Sequence, residues 1–133
     1  MKKVLCFLLI VALVCTMAGC SLSKREGVVR SMFGQMMLEI QSNSMQPTFS
    51  AGDVIICEKV EATSLKTGDI IAYWTIVDGE SVINVHRIYE IYDGGNYLIF
   101  ATKGDNNAAA DPLVVHETEV IGKYVRKAFL GLF

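Results

Sequence analysis

Val82-Ile83-Asn84-Val85-His86-Arg87-Ile88-Tyr89 is the stretch that decides the fold. It is rich in β-branched and aromatic residues, and Asp78-Gly79 stands just before it, followed by Glu80 and Ser81. An Asp-Gly pair between two such runs predicts a β-hairpin, with Asp69-Ile70-Ile71-Ala72-Tyr73-Trp74 as the partner strand. Working outward, Val54-Ile55-Ile56-Cys57, Tyr97-Leu98-Ile99-Phe100-Ala101 and Val120-Ile121-Gly122-Lys123-Tyr124-Val125 read the same way. Turn signals bound them at Ala51-Gly52-Asp53, Thr67-Gly68-Asp69 and Asp93-Gly94-Gly95-Asn96. Five or six short strands with almost no helix predict a mainly β protein, a small antiparallel domain with a coiled or barrel-like sheet. No internal repeat is evident.

Ahead of Pro47 the pattern differs. Val29, Met32, Phe33, Met36, Met37 and Ile40 recur at spacings of three and four, with Gly34 interrupting, which predicts a short amphipathic helical segment packed on its own domain. Further back, Met1-Lys2-Lys3 is a basic head, and Val4 to Gly19 follow without a charge. That is the pattern of an export signal or a membrane anchor, expected as an N-terminal hydrophobic helix. As a helix the run spans about 24 Å, under the roughly 30 Å of a bilayer core. Met17-Ala18-Gly19-Cys20 is similar to a lipobox, which makes Cys20 a candidate for lipid attachment; the plainer reading is a small residue at a helix end. Both routes leave the remainder tethered to a membrane on the extracytoplasmic face. Lys2 and Lys3 support that orientation, and Lys24 and Arg25 weaken it. The expected organisation is a signal or anchor over residues 1–20, a polar tether over 21–30 and a β domain over 31–133.

Composition narrows the class. The 133 residues allow one domain at most, with a formal net charge of -2 and basic residues scattered without a run, so nucleic acid is not a natural partner. Of four cysteines, Cys6, Cys15 and Cys20 lie in or at the edge of the apolar segment. Cys57 alone belongs to the folded part, as a small buried strand residue, so no disulfide forms within the domain. No zinc spacing occurs, and His86 and His116 stand far apart, so neither metal nor other cofactor is expected.

Chemistry concentrates in three places: Ser42-Asn43-Ser44-Met45-Gln46-Pro47-Thr48, Val85-His86-Arg87-Ile88, and Thr102-Lys103-Gly104-Asp105-Asn106-Asn107 with Asp111 shortly after. A serine hydroxyl is a poor nucleophile until a neighbouring base takes its proton. An imidazole, with an ordinary pKa of about 6.5, is such a base, and it needs an acceptor on its other nitrogen to fix its tautomer. Taken singly, the first segment is a turn leading into a strand, His86 a satisfied strand residue, Asp105 part of a Gly-Asp-Asn turn and Asp111 a carboxylate in the bend before Pro112. Asp105 and Asp111 both qualify as the acceptor. Arg87 stays protonated and cannot be the base; it reads as an exposed or carboxylate-paired cation.

Taken together, over roughly Ser31 to Val125, these motifs resemble the type I signal peptidases, in the endoplasmic-reticulum-type branch where His replaces Lys. The matching positions are Ser42, Ser44, Met45, Pro47, Thr48 and Gly52-Asp53, then Val-His-Arg-Ile and Lys-Gly-Asp-Asn-Asn. The resemblance implies Ser44 as nucleophile, His86 as general base, Asp111 as its orienter and Asp105 as a supporting acid. It also implies an oxyanion hole from the Ser44 N–H and the Ser42 hydroxyl, and preprotein substrates with small residues one and three positions before the cut. Glu39 to Gln41 would pair with the extended substrate, with Ile40, Gln41 and Met45 at the pockets. Asn43 departs from the family pattern, which has Gly there; Asn tolerates positive φ best among the other residues, so it is expected to keep the turn. Two rival readings are a catalytically weak or inactive lipoprotein that binds peptides through the same β domain, and a self-cleaving repressor-type protease. The three catalytic residue types oppose the first. The export signal and the His in place of Lys oppose the second.

Overall fold

The computed structural model describes residues 28–129. The N-terminal hydrophobic helix expected from the sequence, Cys20 and the segment boundary expected at residue 20 fall outside the described residues. Eight strands form one antiparallel sheet: β1 (Val28–Met32), β2 (Gln35–Glu39), β3 (Val54–Glu58), β4 (Ile70–Val77), β5 (Glu80–Asp93), β6 (Leu98–Lys103), β7 (Val115–His116) and β8 (Val120–Lys127). Their order across the sheet is β1-β2-β3-β8-β4-β5-β6-β7. The only helical pieces among the described residues are two three-residue 3-10 turns, Ala62–Ser64 and Glu117–Glu119. The mainly β expectation holds, and none of the described helices is long and apolar enough to cross a membrane.

The hairpin predicted at Asp78-Gly79 is present. Both residues take positive φ, 52° and 81°, the two-residue geometry whose twist matches that of the flanking strands. It fixes the register: Val77 faces Glu80, Tyr73 faces Asn84, and Ile71 faces His86. Side chains alternate along a strand, so Tyr73, Asn84 and His86 share one face.

The helical segment predicted from Val29 to Ile40 is corrected by the structure. The chain forms a second two-residue hairpin there, β1 to β2, with Phe33 and Gly34 at φ 53° and 75° and Met32 opposite Gln35. Apolar residues at spacings of three and four had also fitted two short strands joined by a turn. Gly34, whose missing Cβ frees the left-handed conformation, is the turn residue. Leu38 and Ile40 do pack into the domain's core, as the segment was expected to.

β4 divides the interior. Its first four residues are all buried, Ile70 and Ala72 facing one apolar cluster and Ile71 and Tyr73 the other. Phe49, Met45, Ile55 and Leu38 fill the first, while Phe100, Ile88 and Val115 fill the second. Each such large side chain contributes roughly 1.5–3 kcal/mol on full burial. Cys57 is fully buried on β3, and burial pushes its thiol up to about 12, so it is an inert packing residue.

Two features of this sheet position the site. The loop from Ile40 to Asp53 folds back on itself, with Ile40 N–H donating to Asp53 O and Gly52 N–H to Ile40 O, both at 2.8 Å. Met45 and Phe49 sink from it into the core, leaving Ser44 on its shoulder. In addition, β6 pairs with β5 only from Arg87 onward, so the β5 edge over Val82–His86 facing away from β4 carries no strand among the described residues.

Candidate active site

Ser44, His86 and Asp111 come from a loop, a central strand and a second loop, and they meet. Ser44 Oγ lies 2.9 Å from His86 Nε2, and His86 Nδ1 lies 2.6 Å from Asp111 Oδ2. A carboxylate only accepts, so Nδ1 carries the proton and Nε2 is left free to receive one from the Ser44 hydroxyl. His86 is 5 % exposed, which shields this chain from water, while Ser44 is partly buried. The Ser42 hydroxyl donates to Ser44 Oγ at 3.1 Å, and the Ser44 N–H points to Ser42 Oγ at 3.4 Å. In the free site these two donors are thus engaged within the Ser42–Ser44 pair.

Asp105 is in a different place from Asp111. It takes a bidentate pair of hydrogen bonds from Arg87, Nε at 2.9 Å and Nη2 at 2.8 Å, and a third from Thr48 Oγ1 at 2.6 Å. Its N–H donates to Met45 Sδ at 3.4 Å. The Arg87 guanidinium, helped by Thr48, holds the Asp105 carboxyl below its usual range against the opposing effect of burial. Arg87 also donates to Gly68 O. Asp105 thus ties the Ser44 loop to β5 and makes no hydrogen bond to His86.

The Asp105 turn supports Ser44 from beneath. Asn106 N–H donates to Ser44 O at 2.8 Å and Asn106 Nδ2 to Asn43 O at 3.2 Å. Gly104 allows this approach: a Cβ there would fall 2.6 Å from Ser44 O and 2.7 Å from Asn107 Nδ2. Asn43 keeps a turn, Gln46 N–H donating to its carbonyl at 3.2 Å, but not through the left-handed backbone expected of it. Its φ is not left-handed, Phe33 and Asp78 being the non-glycine residues described that are. Asn43 instead accepts the Ala51 N–H on its side chain at 3.0 Å, a turn device for which glycine has no counterpart.

Ile40, Gln41 and Met45 line a small cleft with Glu39, Ser42, Ser44, Ile83, Asn84 and Val85. It encloses about 70 Å³. Ile40 and Met45 are nearly fully buried and form its floor, whereas Gln41 is exposed at its mouth. Three residues around Asp111 were not anticipated from the sequence: Thr102 donates to Oδ2 at 2.7 Å, the Tyr73 hydroxyl does so at 3.1 Å, and Asn84 Nδ2 donates to Tyr73 at 3.0 Å. The Asp78-Gly79 hairpin held part of that information, since its register puts Tyr73 opposite Asn84 and beside His86.

With this geometry in view, the family profile described as Peptidase S24-like matches residues 20–125. The chain belongs to that family. Among curated relatives, Signal peptidase I W of Bacillus subtilis (strain 168) is 34% identical over 103 residues, 77% of this chain and 53% of that protein. The signal peptidase complex catalytic subunit SEC11 of Candida tropicalis is 38% identical over 72 residues, 54% of this chain and 42% of the subunit. Its counterpart in Eremothecium gossypii is 41% identical over 73 residues, with the same shares. This member of the Peptidase S24-like family is thus a relative of the type I signal peptidases, as its motifs predicted. The chain spans about half the length of the relatives it matches.

Proposed function

We propose that this chain is a serine endopeptidase that removes signal peptides from exported preproteins. The observation that carries the reading is the continuous hydrogen-bonded path from Ser44 Oγ through His86 to Asp111 Oδ2. Ser44 attacks the scissile carbonyl as its proton passes to His86 Nε2, and Asp111 stabilises the imidazolium that results. The negative charge developing on the carbonyl oxygen is met by the Ser44 N–H and the Ser42 hydroxyl, which give up for it the hydrogen bonds they make within the Ser42–Ser44 pair in the free site. His86 returns the proton to the leaving amine, and water then hydrolyses the acyl-enzyme by the same steps.

The substrate is an extended peptide laid between Glu39–Gln41 and the open edge of β5 at Ile83–Val85, using main-chain hydrogen bonds to hold it. Small residues before the cut suit a cleft whose floor is closed by Ile40 and Met45. The apolar run Val4–Gly19 keeps the domain on the extracytoplasmic membrane surface, with Cys20 as a lipid-bearing alternative to a retained anchor; the intact mass of membrane-extracted protein distinguishes the two.

The test is cleavage of a preprotein with small residues before the cut. Ser44→Ala and His86→Ala should each lower kcat/KM by at least about 10³-fold. Undiminished cleavage by either variant sinks the mechanism.

A further inference from the structure

Tyr73 takes no part in the steps above, yet its hydroxyl is surrounded by the polar groups that matter to them. The residue is 2 % exposed, and its oxygen lies 3.0 Å from Asn84 Nδ2, 3.0 Å from Thr102 Oγ1 and 3.1 Å from Asp111 Oδ2. An amide nitrogen only donates, so the phenol oxygen accepts from Asn84; of its two near acceptors, Thr102 Oγ1 and Asp111 Oδ2, the charged carboxylate makes the stronger bond and takes the phenol proton. Thr102, fully buried, sends its proton to the same carboxylate oxygen at 2.7 Å. Burial, reinforced by the Asp111 charge, holds the phenol well above its ordinary range, so it remains a donor.

Asp111 needs such help because of where it sits. Ala108 to Ala110 before it and Pro112 to Val114 after it are exposed, and its backbone is held by one bond, N–H to Thr102 O at 2.8 Å. Rotation of a carboxylate about its last torsion is broad, so a single hydrogen bond to His86 leaves the plane free to swing. Two hydroxyls fixed in β4 and β6, the strands on either side of β5, remove that freedom. Asn84, which aims Tyr73, has its own amide oriented by accepting the Val85 N–H on Oδ1 at 3.0 Å.

We propose that Tyr73, aimed by Asn84 and paired with Thr102, is a positioning residue that keeps Asp111 Oδ2 on the Nδ1 side of His86. The proposal rests on the Ser44–His86–Asp111 reading, and the experiment separates the two. With full-length protein and a preprotein substrate, Tyr73→Phe lowers kcat roughly 10- to 100-fold and leaves KM within about two-fold, the cost of one hydrogen bond to a charged group. Thr102→Val does the same, and Thr102→Ser, which keeps the hydroxyl, restores most of the rate; this pair decides the matter if Tyr73→Phe fails to fold. In an Asp111→Asn background Tyr73→Phe adds less than about two-fold, because the two act as one unit. The low-field NMR resonance of the His86 Nδ1 proton shifts or broadens in Tyr73→Phe, a readout that needs no turnover. If Ser44→Ala cleaves like wild type, the hydrolytic reading fails, and the His86 resonance still reports whether Tyr73 positions Asp111. Wild-type kcat in Tyr73→Phe, a full further loss in the Asp111→Asn background, or an unmoved His86 resonance overturns the proposal.

Discussion

Gly104→Ala is the most exacting perturbation the geometry offers. The added methyl would meet Ser44 O at 2.6 Å, about 0.8 Å inside the 3.4 Å at which ordinary contact begins. Asn107, the other neighbour, is a side chain and can turn away, but Ser44 O is backbone and is already held by Asn106 N–H at 2.8 Å. Relief therefore comes from moving the Ser44 peptide. A displacement of that size carried to Oγ would stretch the 2.9 Å contact with His86 Nε2 past hydrogen-bond reach, roughly 3.5 Å. Misplacing a reacting group by about 1 Å costs on the order of 10²-fold in rate, and overpacking costs about 1–3 kcal/mol of stability. The assay is kcat/KM on a preprotein peptide beside the thermal midpoint. The expected result is a folded variant, a few degrees less stable, with kcat/KM down roughly 100-fold. A variant within three-fold of wild type would refute the claim that the Gly104 approach fixes Ser44.

Arg87→Lys removes the bidentate grip on Asp105 and should lower the thermal midpoint and cut kcat/KM about 10-fold, measured by calorimetry and steady-state kinetics. The pH dependence has a definite sign. Because the folded Asp105 carboxyl is held below its unfolded value of about 3.9, the clamp contributes fully above that pH and is lost as pH falls through the lower folded value. The midpoint difference between wild type and Asp105→Asn should accordingly be flat near neutrality and shrink below about pH 4. Asn43→Gly should lose about 1 kcal/mol with the Ala51 hydrogen bond and gain no activity, since position 43 is not left-handed; a several-fold gain in kcat/KM would contradict this. Gly79→Ala strains a residue at φ 81° with nothing nearby to clash, so it should cost about 1 kcal/mol in denaturant titration and leave kcat/KM unchanged.

What the sequence disclosed follows from how local each signal is. β3, β4, β5 and β6 are β-rich runs with a glycine turn at one or both ends, β8 is a β-rich run that carries Gly122 within it, and Asp78-Gly79 carries its hairpin geometry within two residues. β1 and β2 were hidden because Val29, Met32, Phe33, Met36 and Ile40 satisfy a helical spacing, and the contrary signal was a lone Gly34. β7, two residues long, has no pattern to read. Ser44, His86 and Asp111 could be nominated from motifs, but the different surroundings of Asp105 and Asp111 depend on Arg87 and Thr48 in one case and Tyr73 and Thr102 in the other. Those partners lie 18 and 57 residues from Asp105, and 38 and 9 from Asp111, so only folding reveals them.

The placement of β4 between two apolar clusters has an effect on how the molecule comes apart. Ile71 and Ala72, adjacent in the chain and both without exposed surface, anchor opposite clusters, so neither cluster can loosen while the other stays intact. Unfolding should then be a single cooperative event, with the amides of β4 the last to exchange with deuterium, well after those of β1 and β7 at the sheet margins.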